Sequence, residues 1–268
     1  MRDFGSDASG QTLDLRIKVM VPSPGHNLPD FQTLIAQPDA SWYQTWLAMD
    51  PATRGSMRTY TVREARPAQA EVDVDFVLHP PVDGGPAGPA ASWAADAVIG
   101  DELILIGPNA AAGPCLGIEF KPGASKRLLL VGDETAVPAI AAILDTLAAD
   151  VSGTAILEVP ESADFLALKA PAGVEIKSLA RDQAAHGELL GAAVRAACLP
   201  GSHVAKVELE DVNVDEVILW ESPDPESDGL SSALYAWIAG EAGVIKELRR
   251  YLVREVGMDR KQVAFMGY

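Results

Sequence analysis

The sequence predicts an antiparallel β-barrel followed by a doubly wound α/β domain built on a parallel sheet. Two observations carry this. Up to Lys121 the chain reads as short strands bounded by Gly and Pro clusters; after Lys126 it reads as strand, helix, strand, helix. The change falls in "KPGASK", which divides the chain into residues 1–122 and 123–268. With 268 residues, 48% of them hydrophobic, both parts can bury a core.

In the first part, "QTLDLRIKVMVP" alternates, with Leu13, Leu15, Ile17 and Val19 on one face. "SMRTYTV" follows a stretch in which Trp42 and Trp46 read as loop packing. "AEVDVDFVLH" sets Val72, Val74, Phe76 and Leu78 on one face, and "DELILIGP" is a further strand. Between them, a Pro/Gly-rich stretch holds one short helix, opening near Ala90 and closing at Asp96 and Ala97.

In the second part, "RLLLVG" is a continuous apolar run, as expected of a parallel strand buried on both faces. "VPAIAAILDTLAAD" is a helix with Pro138 in its first turn and Thr135 as its N-cap. The strands "GTAILEVP" and "VEIKSL", the helix "HGELLGAAVRAAC" and the strand "DEVILWES" come next. "SSALYAWIAG" reads as a short helix from Ser231 leading into a strand, Tyr235 to Ala239. The closing helix, "GVIKELRRYLVREVG", carries the stripe Ile245, Leu248, Leu252, Val256 and ends at Gly257.

Charge narrows the function. Thirty-eight acidic against 21 basic residues give a net charge of -17, which repels phosphate backbones and argues against nucleic acid as a partner. The two cysteines, Cys115 and Cys198, exclude a four-cysteine metal or iron–sulfur site within the chain and argue against a disulfide framework. The four histidines have no paired ligand spacing, so no protein-held metal is expected. With no apolar run long enough to cross a bilayer and no secretion signal, a cytoplasmic monomer off the membrane is expected.

The first chemical signal is "RTYT". Alternation puts Arg58 and Tyr60 on one face of their strand. A guanidinium can hold a pyrophosphate bidentately, the Tyr60 ring can pack on an isoalloxazine, and Thr61 offers a hydroxyl and an N–H. Those needs fit FAD, although a surface ion pair and half-buried packing explain the same residues.

Three further stretches add to it. "DFVLH" (Asp75, Phe76, Val77, Leu78, His79), "GPAASWA" (with Ala90, Ala91, Ser92 and Trp93) and "VGDETAVPAI", together with "YAWIAGEAGVIKELRRYLVREVGMDR" and the final "GY", resemble the siderophore-interacting proteins, NAD(P)H-dependent ferric-siderophore reductases. The resemblance spans nearly the whole chain. It implies an FAD-binding barrel in which the "DFVLH" strand lines the flavin and the "GPAASWA" helix start receives the pyrophosphate, the latter as free helix N–H groups would favour. Arg63 is included in that cofactor set. The resemblance also implies that the turn Asp133, Glu134, Thr135, Ala136 faces NADH or NADPH, and that Glu241 lies near flavin and nicotinamide. Relative to the family, a first strand before Phe4 and a basic tail beyond Tyr268 are expected to be missing.

The closing helix adds Lys246, Arg249, Arg250 and Arg254, with Arg260 and Lys261 beyond it. It reads either as a solvated basic face or as a wall that attracts the anionic ferric siderophore, for which Lys246, Arg249 and Arg250 are the candidates. "EVPESADF", with Glu158, Glu161 and Asp164 and no cation, tilts the cofactor choice toward NADH. Two alternatives stand beside the reductase: electron exchange with a ferredoxin, and a non-catalytic siderophore-binding module.

Overall fold

The computed structural model describes residues 4–5, 10–36, 41–78, 88–109, 111, 115–200, 220–221 and 234–267. His79, Ser231 and all of "DEVILWES" except residues 220–221 lie outside them.

In the barrel part, β1 (Arg16–Val21) is flanked by two antiparallel neighbours, β2 (Ser56–Thr61) and β5 (Ile104–Ile106). The expected alternation holds along β1. Leu15, Ile17, Val19 and Val21 enter one core with Val62, Ala90 and Ile118. Met20 points the other way, onto Leu34 and Trp46. Removing aliphatic side chains of this size from water is worth about 1.5–3 kcal/mol each. Trp42 and Trp46 belong to a helix, α2 (Trp42–Ala48), which with α1 (Phe31–Ile35) covers this second core.

The stretch predicted as a strand over "AEVDVDFVLH" pairs only briefly. Glu64–Arg66 (β3) and Glu71–Asp73 (β4) form a short hairpin, tied across by Arg66, which bonds Glu64, Glu71 and Asp73. Beyond it Val74 and Phe76 still pack on the barrel core, whereas Leu78 is exposed. The short helix is α3 (Pro89–Asp96), as expected.

The α/β part is a six-stranded sheet in the order β8-β7-β6-β10-β11-β9. Its strands are β6 (Arg127–Asp133), β7 (Ser152–Val159), β8 (Gly173–Ala180), β9 (Trp220–Glu221), β10 (Leu234–Gly240) and β11 (Val263–Gly267). The first five in that order run parallel, and β9 is antiparallel to β11. The run "LLLV" explains the double burial. Leu128 and Leu130 pack with α4 (Val137–Thr146) on one face, Leu129 and Val131 with α5 (Glu188–Ala197) and α6 (Ala242–Tyr251) on the other. Helix α4 stops at Thr146, four residues short of the expected end, where Leu147 turns extended. Helix α6 continues as a π-helical turn, Leu252–Val256, and closes at Gly257.

The two parts are joined by a buried carboxylate. Asp14, 1% exposed, accepts the amides of Glu119 and Phe120 and the indole N–H of Trp237 on β10, the last at 2.9 Å. Close by, the Tyr235 hydroxyl accepts the Lys121 amide at 2.9 Å. At the rim, Arg63 bonds Asp145 of α4 at 2.7 Å.

Candidate functional site

On the barrel, the predicted residues gather around β2 and α3. Tyr60 is half-buried, its ring 4.3 Å from that of Phe76, which is in turn 6.0 Å from Trp93 on α3. Burial pushes the Tyr60 hydroxyl above its usual pKa, more than Arg58 nearby lowers it. Arg58 is exposed and bonds only its own strand's Met57 carbonyl at 2.8 Å among the interactions seen. Thr61 is buried. Helix α3 opens on Gly88 and Pro89 with no side-chain cap among the described residues, while Ala90 and Ala91 bury its inner face and Ser92 lies outward. A helix start of this kind on the helix that carries Trp93 of the aromatic row suits a ligand with a pyrophosphate and a flat ring. Asp75 is exposed, 3.8 Å from Arg63, and Val77 is half-buried. The Arg63 guanidinium is turned toward Asp75 and Asp145.

The second half of the site lies at the carboxyl ends of β6 and β10. Strand order reverses there, which is where ligands of doubly wound sheets bind. Asp133 ends β6, almost wholly buried, and accepts the Thr135 amide (2.9 Å), the Glu241 amide (2.8 Å) and His186 Nε2 (3.1 Å). Burial alone pushes its carboxyl up, but the bonds from His186, Thr135 and Glu241 outweigh it and hold the group below its ordinary value. Gly240 makes room, since a Cβ there would lie 2.5 Å from the Asp133 carboxylate. Glu134 is held bidentately by Arg181 at 2.7 and 2.6 Å. Thr135 is not the helix cap. It turns its amide and hydroxyl to Asp133, and Ala136 occupies the cap position of α4. Glu241 caps α6, accepting the amides of Gly243 and Val244 at 2.9 Å each.

Glu158, Arg181 and His186 were not marked by the sequence as one site. Glu158 is fully buried and accepts the amides of Gly187 (2.7 Å) and Leu190 (3.2 Å) at the start of α5. Of the three acids in "EVPESADF", Glu158 is thus taken into the fold, while Glu161 and Asp164 stay exposed. Asp133, Glu134 and His186 bring potential ligand atoms within 4.8 Å of one another, but both carboxylates already serve cations, so the group is an ion-pair cluster. The basic residues of α6 do not form one wall. Arg249 is buried with its guanidinium 4.1 Å from the Phe265 ring centre, Lys246 is half-buried and Arg250 is exposed.

The fold has a ferredoxin reductase-like architecture, an antiparallel barrel part followed by a doubly wound parallel sheet. Residues 125–268 match the model of the siderophore-interacting protein family, and residues 3–112 that of the siderophore-interacting FAD-binding domain. The chain belongs to the siderophore-interacting protein family. It is 34% identical over 221 residues to an uncharacterised protein of Mycobacterium tuberculosis, covering 78% of this chain and 63% of that one. It is 38% identical over 125 residues to the ferric vibriobactin reductase ViuB of Vibrio cholerae, covering 47% and 42%. The crystal structure of a siderophore utilization protein from T. fusca superposes with a TM-score of 0.62 at 28% identity, covering 98% of this chain and 80% of that one. This chain thus spans less than two thirds of the length of these two curated relatives. Among the described residues, no helix is long and apolar enough to cross a membrane.

Proposed function

We propose that the protein is an FAD-dependent ferric-siderophore reductase, with residues 1–122 carrying FAD and residues 123–268 receiving NADH or NADPH. The observation that carries this is the row Tyr60–Phe76–Trp93 ending on α3, whose start has no side-chain cap among the described residues, in a chain of the siderophore-interacting family. Arg58 and the first amides of α3 would hold the FAD pyrophosphate, and Tyr60 with Thr61 would line its ring. FAD, when bound, supplies the conversion of a two-electron hydride donor into single electrons for Fe(III). Ferrous iron binds hard-oxygen siderophores poorly, so reduction releases it.

The chain's own part is to bind, orient and set charge. The exposed Arg250 and the half-buried Lys246 are the remaining candidates for meeting an anionic ferric chelate, since Arg249 is taken into the packing. The test is direct. Protein purified with FAD should show flavin absorbance and oxidise NADH or NADPH only when a ferric chelate is added. No flavin binding and no chelate-dependent oxidation would end this reading.

A second reading exchanges electrons with a ferredoxin. Arg250, Arg254, Arg260 and Lys261 are exposed on an otherwise acidic protein and could meet an acidic partner. Turnover with ferredoxin that exceeds turnover with ferric chelate, and falls steeply with salt, would favour it.

A further inference from the structure

The loop from Arg181 to Gly187 leaves β8 at the edge of the sheet and crosses the carboxyl ends of β7 and β6. Its path is pinned by the Arg181 amide on the Val159 carbonyl (3.0 Å), the Asp182 amide on that of Pro160 (3.0 Å) and the Gly187 amide on Glu158. At its far end Gly187 packs against α6, where a Cβ would lie 2.3 Å from the Val244 side chain. Each of its two cations is set on an acid of the turn after β6. Arg181 forks onto Glu134 and lies 3.8 Å from buried Glu158, and His186 meets Asp133.

The electrostatics of the switch point depend on that loop. Three carboxylates converge there, from Asp133, Glu134 and Glu158, against Arg181 and, when protonated, His186. Three negative charges against Arg181 and a protonated His186 leave -1, and a neutral His186 leaves -2. A dinucleotide brings a negative pyrophosphate into this crevice, where no glycine-rich loop offsets it. We infer that the 181–187 loop compensates the acidic switch point so that a nicotinamide dinucleotide can enter, with Arg181 as its fixed charge and His186 as its titratable one. The inference rests on the nicotinamide reading above.

The sign of the pH effect follows. The hydrogen bond to Asp133 raises the His186 pKa above 6.5, more than partial burial lowers it. Asp133, held below the ordinary carboxylate value, stays ionised across the window in which His186 loses its proton. The other charged groups around the loop are Glu134, Arg181, Glu158, the exposed Asp182 of the loop itself, and Glu188, which accepts the Ala185 amide at 3.2 Å; Glu241 meets the cluster through its backbone amide on Asp133. Dinucleotide affinity should therefore be highest below pH 6.5 and fall as the pH rises through the raised value.

The test is calorimetric titration of the FAD-loaded protein with ADP-ribose, which carries the adenosine and pyrophosphate without the nicotinamide ring, at pH 6 and pH 9. Wild type should bind about three- to tenfold more weakly at the higher pH, the change one unit charge makes at roughly 6 Å in an intermediate dielectric. His186→Gln should bind with the weaker affinity at both. Arg181→Met should lose about tenfold or more at both, with FAD content unchanged. Should Arg181→Met fail to fold, Arg181→Lys keeps the charge without the fork and should retain most of the affinity. Wild-type affinity indifferent to pH, His186→Gln retaining the wild-type slope, or complete loss in a folded Arg181→Lys overturns the compensation and leaves the nicotinamide reading standing. No ADP-ribose binding by wild type at either pH overturns both.

Discussion

The helix starts of α3, α5 and α6, which border the two candidate ligand surfaces, are of two kinds. In the barrel, α3 opens on Gly88 and Pro89 with no side-chain cap among the described residues. In the α/β part, α5 opens under the carboxylate of Glu158 and α6 under that of Glu241. A helix start favours an anion whether it comes from a ligand or from the chain itself. In the proposed reading α3 keeps its start for a ligand phosphate, while α5 and α6 fill theirs with protein carboxylates. For the proposed reductase this separates a cofactor that stays from one that must leave in every turnover. FAD would gain the start of α3 and Arg58; the nicotinamide would find the starts of α5 and α6 filled and that of α4 with no side-chain cap.

The largest expected effect lies where the two halves are fastened. Burial pushes the Asp14 carboxyl up to about 6, against the lowering bonds from Phe120, Trp237 and Glu119. A carboxyl whose folded pKa exceeds its unfolded value of 3.8 adds stability that is complete below 3.8 and lost as the pH rises through about 6. Relative to Asp14→Asn, wild type should lose on the order of 2–3 kcal/mol of urea stability between pH 4 and pH 7. Parallel pH profiles for the two proteins would break the clasp argument.

Arg58→Ala probes the open start. It should weaken FAD by about ten- to a hundredfold, from a charge-assisted contact of roughly 1.5–3 kcal/mol. Tyr60→Ala should weaken it too and alter flavin fluorescence. The control is Lys177→Ala on β8, since Arg66, though outside the motif, ties three acids of the β3–β4 hairpin. Equal FAD retention in Arg58→Ala and Lys177→Ala would remove this strand from the flavin site.

Glu241→Ala probes a filled start. Loss of the cap should cost about 1 kcal/mol of stability. The vacated amides of Gly243 and Val244 should tighten ADP-ribose about threefold, a gain no merely destabilised protein would show. Smallest of all is Arg63→Ala. Its partner Asp145 is 39% exposed, so the bridge should contribute roughly 0.2–1 kcal/mol and fade in high salt.

What could be read in advance follows the range of the interactions. Strand β1 and the double-faced run of β6 were legible, because the period of apolar residues is a local property. The aromatic row was legible by residue type, through "RTYT", "DFVLH" and "GPAASWA". Strand β11 escaped notice: "VAFMG" is a short apolar run without alternation, held by its pairing with β10. Thr135 looked like a cap because Ser and Thr usually serve there, yet the stronger acceptor two residues back took it. His186 gave no signal, since its partner Asp133 lies 53 residues away. Buried Arg249 shows the same limit, as the Phe265 ring that receives it belongs to the strand the pattern did not reveal.

The bond between Trp237 and Asp14 also makes the protein its own optical gauge. The indole is wholly shielded from water, and its N–H ends on a carboxylate from the other half of the molecule. Separation of the halves would wet that ring and shift its emission to the red, while protonation of Asp14 would alter the emission with the halves still docked. With the other four tryptophans replaced by phenylalanine, the junction can therefore be followed in real time without any attached dye.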